Sequence, residues 1–260
     1  MEKKTLSRDG TPIAYTRTGQ GPAVILVSGA MSTGGTVAPL AVPLSERFDV
    51  LVHDRRGRGQ SGDTAPYAVA REVEDLAALI EAAGGEASLC GISSGGALVL
   101  EAAASGLPVR RVAVYETPYA DFLEGGAEGN AAYTRNLEAA LSEGRNGDAV
   151  ELFLRLTGMG EEMIRGARQS PMWPGMEAVA PTLAYDNAVM AGGLVPRDRL
   201  ASVTVPVLAV AGGASPEWMR EATRTVAETV PRGTYRVLEG QTHMVDPTAL
   251  APVLAEFFVE

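Results

Sequence analysis

Residues 89–97 carry the sequence LCGISSGGA, and the segment GISSG within it matches the pattern G-x-S-x-G. A β-prone run, residues 86–90, precedes this segment, and an apolar run, residues 97–104, follows it. The order strand, sharp turn and helix is typical of a nucleophile elbow, in which a strained turn holds a serine. Residues two before and two after that serine need almost no side chain, and Gly91 and Gly95 meet this need. Ser93 is therefore a candidate nucleophile.

A serine hydroxyl is a poor nucleophile at neutral pH, so Ser93 needs a base and a carboxylate. The chain has only two histidines, His53 and His243. His243 lies in the loop EGQTHMVDP (residues 239–247), after the last predicted strand and before the last predicted helix, and we predict that it is the base. The alternative is a solvent-exposed loop histidine. His53 ends an apolar strand and is predicted to be structural, packed near an arginine-rich loop.

The composition is that of one large globular domain with a well-buried core. The 260 residues are 46% hydrophobic, and the net charge of -10 argues against nucleic acid and anionic membranes as partners. We find no apolar run of membrane-spanning length and no signal peptide, so we expect a cytoplasmic protein. The single cysteine, Cys90, excludes an intramolecular disulfide and a cysteine metal cluster, and two histidines make a multi-histidine metal site unexpected.

Buried strands alternate with helices along most of the chain, which predicts an α/β fold with a mainly parallel sheet. Strands are expected at residues 4–8, 13–18, 23–28, 48–53, 86–90, 111–115, 207–211 and 234–238. Helices are expected at residues 36–47, 69–83, from 97, 216–230 and 247–258. From residue 119 to 200 the pattern changes to helical patches with Gly-rich breaks. We therefore predict an inserted helical cap at 119–200 and a core made of 1–118 and 201–260.

Together, these motifs resemble those of the α/β-hydrolase family. The resemblance rests on the elbow, on DRRGRGQSG at residues 54–62, on VSG at residues 27–29 and on GQTH at residues 240–243. The order nucleophile, acid, histidine is also that of the family. The resemblance covers nearly the whole chain. It implies an α/β-hydrolase fold, with a mainly parallel eight-stranded sheet flanked by helices, and a serine hydrolase that uses no cofactor.

The acid is where this chain departs from the family pattern. Many members carry an aspartate after the strand that corresponds to residues 207–211, whereas this chain has GGASPEW at 212–218. Other members place the acid after the strand that follows the elbow helix, and Glu116 occupies that position here. We predict Glu116 as the triad acid, with Glu217, Asp186 and Asp198 as weaker candidates. The alternative for Glu116 is an ion pair with an arginine of the loop at residues 54–62.

The oxyanion hole and the substrate pocket are expected near the same sheet edge. One backbone N–H should come from Ser94, the residue after the nucleophile. The second is predicted at Ala30, with Gly29 as the alternative, because the chain has SGAM at residues 28–31 where most members have His-Gly. Pocket-lining residues are predicted at Met31, Trp173 and Trp218.

Methionines are frequent in the predicted cap, and methionine suits adaptable apolar pockets. The cap methionines singled out are Met159, Met163, Met172, Met176 and Met190. The alternative for each of them is plain packing of the cap onto the sheet. Together they predict a mainly apolar substrate of moderate size.

The predicted function is hydrolysis of a carboxylic ester or lactone of a mainly apolar small molecule through Ser93, His243 and Glu116, without cofactor or metal. Lactone-cleaving family members are among those with glutamate at this position, which is an analogy. The alternatives are C–C bond hydrolysis, cofactor-free lyase, cyclase or perhydrolase chemistry in the same fold, and a non-catalytic ligand-binding member. The sequence does not fix the oligomeric state, and a homodimer is one option.

One motif points elsewhere. The segment GRGQSG at residues 57–62 matches G-x-G-x-x-G, and a strand precedes it. A dinucleotide fingerprint needs a helix that opens directly on the last glycine. Here the residues DTAP intervene, so nucleotide binding is not expected.

Overall fold

The computed structural model describes residues 2–122 and 125–259. The strands in this part are β1 (Glu2–Leu6), β2 (Pro12–Thr18), β3 (Ala23–Val27), β4 (Asp49–His53), β5 (Ala87–Ile92), β6 (Val109–Tyr115), β7 (Val207–Gly212) and β8 (Gly233–Leu238). They form one eight-stranded sheet in the order β1-β2-β4-β3-β5-β6-β7-β8. The pairs β1–β2 and β2–β4 are antiparallel, and all other pairs are parallel. The predicted α/β fold with a mainly parallel eight-stranded sheet is confirmed.

Helices cover both faces of the sheet. In chain order they are α1 (Gly34–Leu44), α2 (Val69–Ala83), α3 (Ser94–Ala104), α4 (Gly126–Ser142), α5 (Asn146–Leu156), α6 (Glu161–Arg168), α7 (Trp173–Val179), α8 (Leu183–Val189), α9 (Arg197–Leu200), α10 (Glu217–Thr229) and α11 (Pro247–Val259). Successive side chains of a strand point to opposite faces, so Ile25 belongs to the core cluster that α2, α3 and α10 share, and Val24 belongs to the one that α1 and α11 share. Strands β3, β4, β5 and β7 are therefore buried on both faces, as their nearly continuous apolar runs predict.

Helix boundaries agree with the prediction where the apolar residues repeat with helical periodicity and a glycine ends the helix. The predicted helix at residues 69–83 is α2, and Gly84 ends it in the left-handed conformation (φ 117°). Helix α1 begins at Gly34, earlier than the predicted residue 36, and ends at Leu44 rather than at residue 47. Its start is fixed by a hydrogen bond from the Gly34 N–H to Asp54 Oδ1 at 2.8 Å. No helix in the described part of the chain is long and apolar enough to cross a membrane.

The described residues between β6 and β7 contain helices α4 to α9 and two short 3-10 helices (Ala180–Thr182 and Ala191–Gly193), but no strand. Ten of their buried apolar side chains form a cluster of their own, here called the cap cluster, whereas Val189, Val195 and Leu200 belong to a cluster of the sheet. The cap cluster consists of Tyr133, Leu137, Ala140, Ala149, Val150, Leu154, Ile164, Trp173, Ala180 and Leu183. The predicted helical patches correspond to α4, α5 and α6. The exact division of the chain into core and cap stays a prediction.

Candidate active site

Ser93 lies at the tip of a sharp turn between β5 and α3. Its φ of 57° and ψ of -128° are a strained conformation for a residue with a side chain. The flanking glycines are required by close backbone contacts. A Cβ on Gly91 would lie 2.2 Å from the Gly95 carbonyl oxygen, and a Cβ on Gly95 would lie 2.5 Å from that of Val27. The turn thus places Ser93 directly before the N-terminus of α3, where helix N–H groups without intrahelical partners favour negative charge.

Glu116 and His243 meet beside this turn. Strands β5 and β6 pair Ile92 with Tyr115, so Ser93 and Glu116 are the first residues after adjacent strands. The His243 Nδ1–H donates to Glu116 Oε2 at 3.0 Å, and the Gly212 N–H donates to Oε1 at 2.7 Å. Glu116 is fully buried, whereas the His243 side chain is 35% exposed. Both carboxylate oxygens are therefore fixed, and the imidazole keeps access to the surface.

The loop that carries His243 is held by a contact that the sequence did not reveal. The Tyr115 hydroxyl donates to the Thr242 carbonyl oxygen at 2.6 Å. The same loop lies directly on β7, because a Cβ on Gly212 would come within 2.4 Å of the Gln241 carbonyl oxygen. Tyr115 thus fixes the residue before His243, and its only sequence signal is its place next to Glu116 at a buried strand end.

The weaker candidates for the acid lie elsewhere. Glu217 is exposed in the first turn of α10 and pairs with Arg220. Asp198 is exposed in α9. Asp186 is buried but pairs with Arg55 and Arg58 at 2.7 and 2.6 Å. Of the carboxylates considered, Glu116 is the one that contacts His243.

The arginines of residues 55–58 have partners other than Glu116. Arg55 pairs with Glu72 and Asp186. Arg56 pairs with Asp9 and Asp75, both at 2.7 Å. The first described helix after this loop is α2, which begins at Val69, so no helix opens on Gly62 as a dinucleotide fingerprint would require.

His53 is buried at the end of β4, as predicted for a structural residue. Burial, aided by the positive charge of Arg55, lowers the pKa of His53 to about 4. It is therefore a neutral ring at physiological pH.

The loop after β3 lies against the nucleophile. A Cβ on Gly29 would lie 2.9 Å from Ser93 Cβ. Ala30 and Met31 are half-buried and pack against the cap cluster, and Ser94 is buried at the start of α3. The predicted oxyanion donors Ser94, Ala30 and Gly29 therefore lie on the two segments that flank Ser93, and their role stays a prediction.

Backbone strain is concentrated at this site. Among the non-glycine residues of 2–122 and 125–259, four have a positive φ: Met31, Ser93, Glu116 and Ala191. Three of these belong to the segments just described. Such conformations cost of order 1–3 kcal/mol each and are typical of functional sites.

The predicted pocket residues differ in their surroundings. Trp173 is 6% exposed within the cap cluster, with the Arg168 guanidinium 5.8 Å from its ring centre. Trp218 is half-buried in the first turn of α10. Met31 packs against the cap cluster, as given above. Contact of these residues with a substrate stays a prediction.

Comparison with known proteins identifies the family. The model of the alpha/beta hydrolase family matches residues 24–253. The chain belongs to the α/β-hydrolase family. A crystal structure of an alpha/beta hydrolase from Sphaerobacter thermophilus DSM 20745 is 51% identical with a TM-score of 0.89, over 98% of this chain and all of that one. The predicted fold family is confirmed.

Two curated relatives are enzymes. A 2-(acetamidomethylene)succinate hydrolase from Mesorhizobium japonicum is 29% identical over 88% of this chain and 84% of its own length. A pimeloyl-[acyl-carrier protein] methyl ester esterase from Stenotrophomonas maltophilia is 37% identical, but the match covers 37% of this chain and only 36% of that enzyme. Together with the family match, relatives named as a hydrolase and an esterase indicate that the chain is an enzyme of the α/β-hydrolase type.

Proposed function

We propose that this α/β-hydrolase is a serine hydrolase that cleaves a carboxylic ester or lactone of a mainly apolar small molecule. The observation that carries the proposal is the pair His243–Glu116 at 3.0 Å, located one strand from the strained turn of Ser93. A buried carboxylate on Nδ1 fixes the ring so that Nε2 can act as a base, and it stabilises the imidazolium that forms. The relatives named as hydrolase and esterase support the same class.

In the proposed reaction, His243 Nε2 removes the Ser93 proton while Oγ attacks the substrate carbonyl carbon. The N–H groups of Ser94 and Ala30 donate to the resulting oxyanion. His243 then gives the proton to the leaving alkoxide, and the acyl-enzyme forms. Water attacks this ester with His243 again as the base. A carboxylic acid is released, or a hydroxy acid from a lactone, and Ser93 regains its proton.

An apolar substrate is supported by what lies over the site. The proposed oxyanion donor Ala30 and its neighbour Met31 pack against the apolar cap cluster. A substrate carbonyl held at Ser93 would therefore extend toward apolar surface, where burial stabilises the complex by about 25 cal/mol per Å².

The test is turnover of p-nitrophenyl butyrate and of an aliphatic lactone, together with labelling by a fluorophosphonate probe. Ser93→Ala should abolish labelling and lower kcat by about 10⁴-fold or more, since the residual rate comes only from the oxyanion hole and substrate binding. Ser142→Ala is the matched control, because this exposed hydroxyl only donates to the Ala139 carbonyl. Retained turnover in Ser93→Ala would refute the proposal, and turnover of a diketone but of no ester or lactone would replace it by C–C bond hydrolysis.

A further inference from the structure

A group of four charged side chains is buried beside the nucleophile turn, and the proposed reaction does not use it. The group consists of Arg55, Arg58, Glu72 and Asp186 and is here called the arginine cluster. Its side chains are 0–6% exposed. Three members lie in the core of the fold, but Asp186 comes from α8 between β6 and β7. Two positive and two negative charges balance, as buried ions require.

Asp186 connects the cap to the nucleophile helix. The hydroxyl of Ser94 donates to Asp186 Oδ1 at 2.8 Å, and Arg55 Nη1 donates to the same oxygen at 2.7 Å. Ser94 is the first residue of α3 and follows Ser93 directly. The position of Asp186 thus restrains the residue whose N–H is the proposed first oxyanion donor.

The other oxygen of Asp186 reaches the second donor segment through Arg58. Arg58 Nη2 donates to Asp186 Oδ2 at 2.6 Å, while Nη1 donates to the carbonyl oxygens of Gly29 at 2.6 Å and of Ser32 at 3.2 Å. These carbonyls bracket Ala30 and Met31. One carboxylate from the cap therefore restrains both segments that flank Ser93, directly at Ser94 and through Arg58 at the loop.

Asp186 is held in its charged form by this arrangement. Burial opposes ionisation, but the guanidinium groups of Arg55 and Arg58 outweigh it and keep the pKa of Asp186 below its ordinary value. A charged carboxylate forms stronger and more directional hydrogen bonds than a neutral amide would. Asparagine at position 186 would keep the shape but lose the charge and one acceptor.

We infer that Asp186 is a positioning residue that sets the distance between the two backbone donors at Ala30 and Ser94. The inference rests on the proposed function, because the donors matter only if an oxyanion forms at Ser93. If a cap residue has this role, the cap positions the two oxyanion donors in addition to shaping the pocket.

The experiment compares Asp186→Asn with Asp75→Asn. Asp75 is also a buried aspartate with two contacts to one arginine, Arg56, at 2.7 and 3.0 Å. Its contacts involve neither Ser94 nor the loop at residues 28–32, so it controls for the loss of a buried charge. Both variants are assayed well below their own unfolding temperatures. We expect kcat to fall at least tenfold in Asp186→Asn with KM within threefold, and kcat to stay within twofold in Asp75→Asn.

Two further measurements keep the inference testable. Ser94→Ala removes one link without removing a charge, and it should lower kcat in the same direction by a smaller factor. Hydrogen exchange followed by mass spectrometry should show the peptide over residues 28–34 exchanging faster in Asp186→Asn and unchanged in Asp75→Asn. If both aspartate variants lose kcat equally, or if neither kcat nor loop exchange responds to Asp186→Asn, the role is overturned.

The outcome separates this inference from the proposed function. A wild-type protein that no fluorophosphonate labels and that turns over no ester or lactone would defeat the proposed function. Faster exchange of residues 28–34 in Asp186→Asn would still establish the restraint in that case, and unchanged exchange would refute it.

Discussion

The Glu116–His243 pair and the arginine cluster both bury a carboxylate next to Ser93, but they hold it in different ways. Glu116 is fixed by a backbone N–H and by an imidazole that is 35% exposed. Asp186 is fixed by two guanidinium groups and a hydroxyl. Arginine stays charged under all ordinary conditions, whereas an imidazole can take up and release a proton during catalysis.

The difference assigns the two regions different tasks. A carboxylate whose partner is a histidine can respond when a proton arrives on that histidine, which is what a proton-transfer step needs. A carboxylate between two arginines is already neutralised and cannot respond in this way. Its interactions with the two arginines instead fix the positions of the neighbouring groups. Substitution of Glu116 should therefore lower the rate strongly and the stability little. Substitution of Asp186 should lower the stability more and the rate less.

Among the variants that test this comparison, Glu116→Gln is expected to have the largest effect. Glutamine still accepts from the Gly212 N–H, but it cannot stabilise an imidazolium on His243, so kcat should fall by about 10³-fold or more. The unfolding midpoint in urea should change little, in contrast to Asp186→Asn. Kinetics on p-nitrophenyl butyrate and urea unfolding of the same preparation measure both quantities.

Glu217→Gln is the matched control for this prediction. Glu217 is exposed and pairs with Arg220 in the first turn of α10, so the same substitution there should leave kcat within twofold. Equal losses in the two variants would show that the carboxylate at position 116 has no special role.

The difference between the features that the sequence predicted and those that it missed has a physical cause. The elbow at residues 91–95 and the helix at 69–83 depend on local sterics and periodicity, which a single segment displays, whereas Glu116 was predicted from the resemblance to the family. The partners of the arginines do not depend on such local features. Arg55 and Asp186 are 131 positions apart, and Tyr115 and Thr242 are 127 apart. Such contacts between distant polar groups follow no periodic pattern, so the sequence of the arginine-rich loop did not indicate its partners.

The next largest effect is the pH dependence of the free energy of unfolding that follows from the pKa of His53. The folded-state pKa of His53 is about 4, below its ordinary value of 6.5, so the unfolded chain binds a proton that the folded chain excludes. Its contribution to stability is complete above pH 6.5 and is lost as the pH falls from 6.5 toward 4, by about 3 kcal/mol in total. The lowered pKa of Asp186 acts only at lower pH, below the ordinary value of 3.8.

Urea unfolding at a series of pH values between 7 and 4 checks this expectation. In His53→Gln the decline in the free energy of unfolding over that interval should be shallower than in the wild type, whatever the absolute stability of the variant. In His243→Gln, the part of the decline in the free energy of unfolding that is due to His53 should remain. Parallel curves for His53→Gln and the wild type would rule out the assignment.

The smallest effect tests how far the arginine cluster extends. Tyr67 and Tyr185 stack at 3.8 Å between ring centres, and each hydroxyl meets a carboxylate. The Tyr67 hydroxyl donates to the buried Glu72 at 2.9 Å, whereas that of Tyr185 donates to the exposed Asp63 at 2.7 Å. Removal of a hydrogen bond to a buried charge costs more than removal of an exposed one, so Tyr67→Phe should lower the free energy of unfolding by about 1–2 kcal/mol and Tyr185→Phe by about 0.5 kcal/mol or less. Both variants keep the stacked rings, so the comparison isolates the two hydrogen bonds. Equal losses in the free energy of unfolding would show that the arginine cluster does not extend to Tyr67. The value of kcat should be unchanged in both variants.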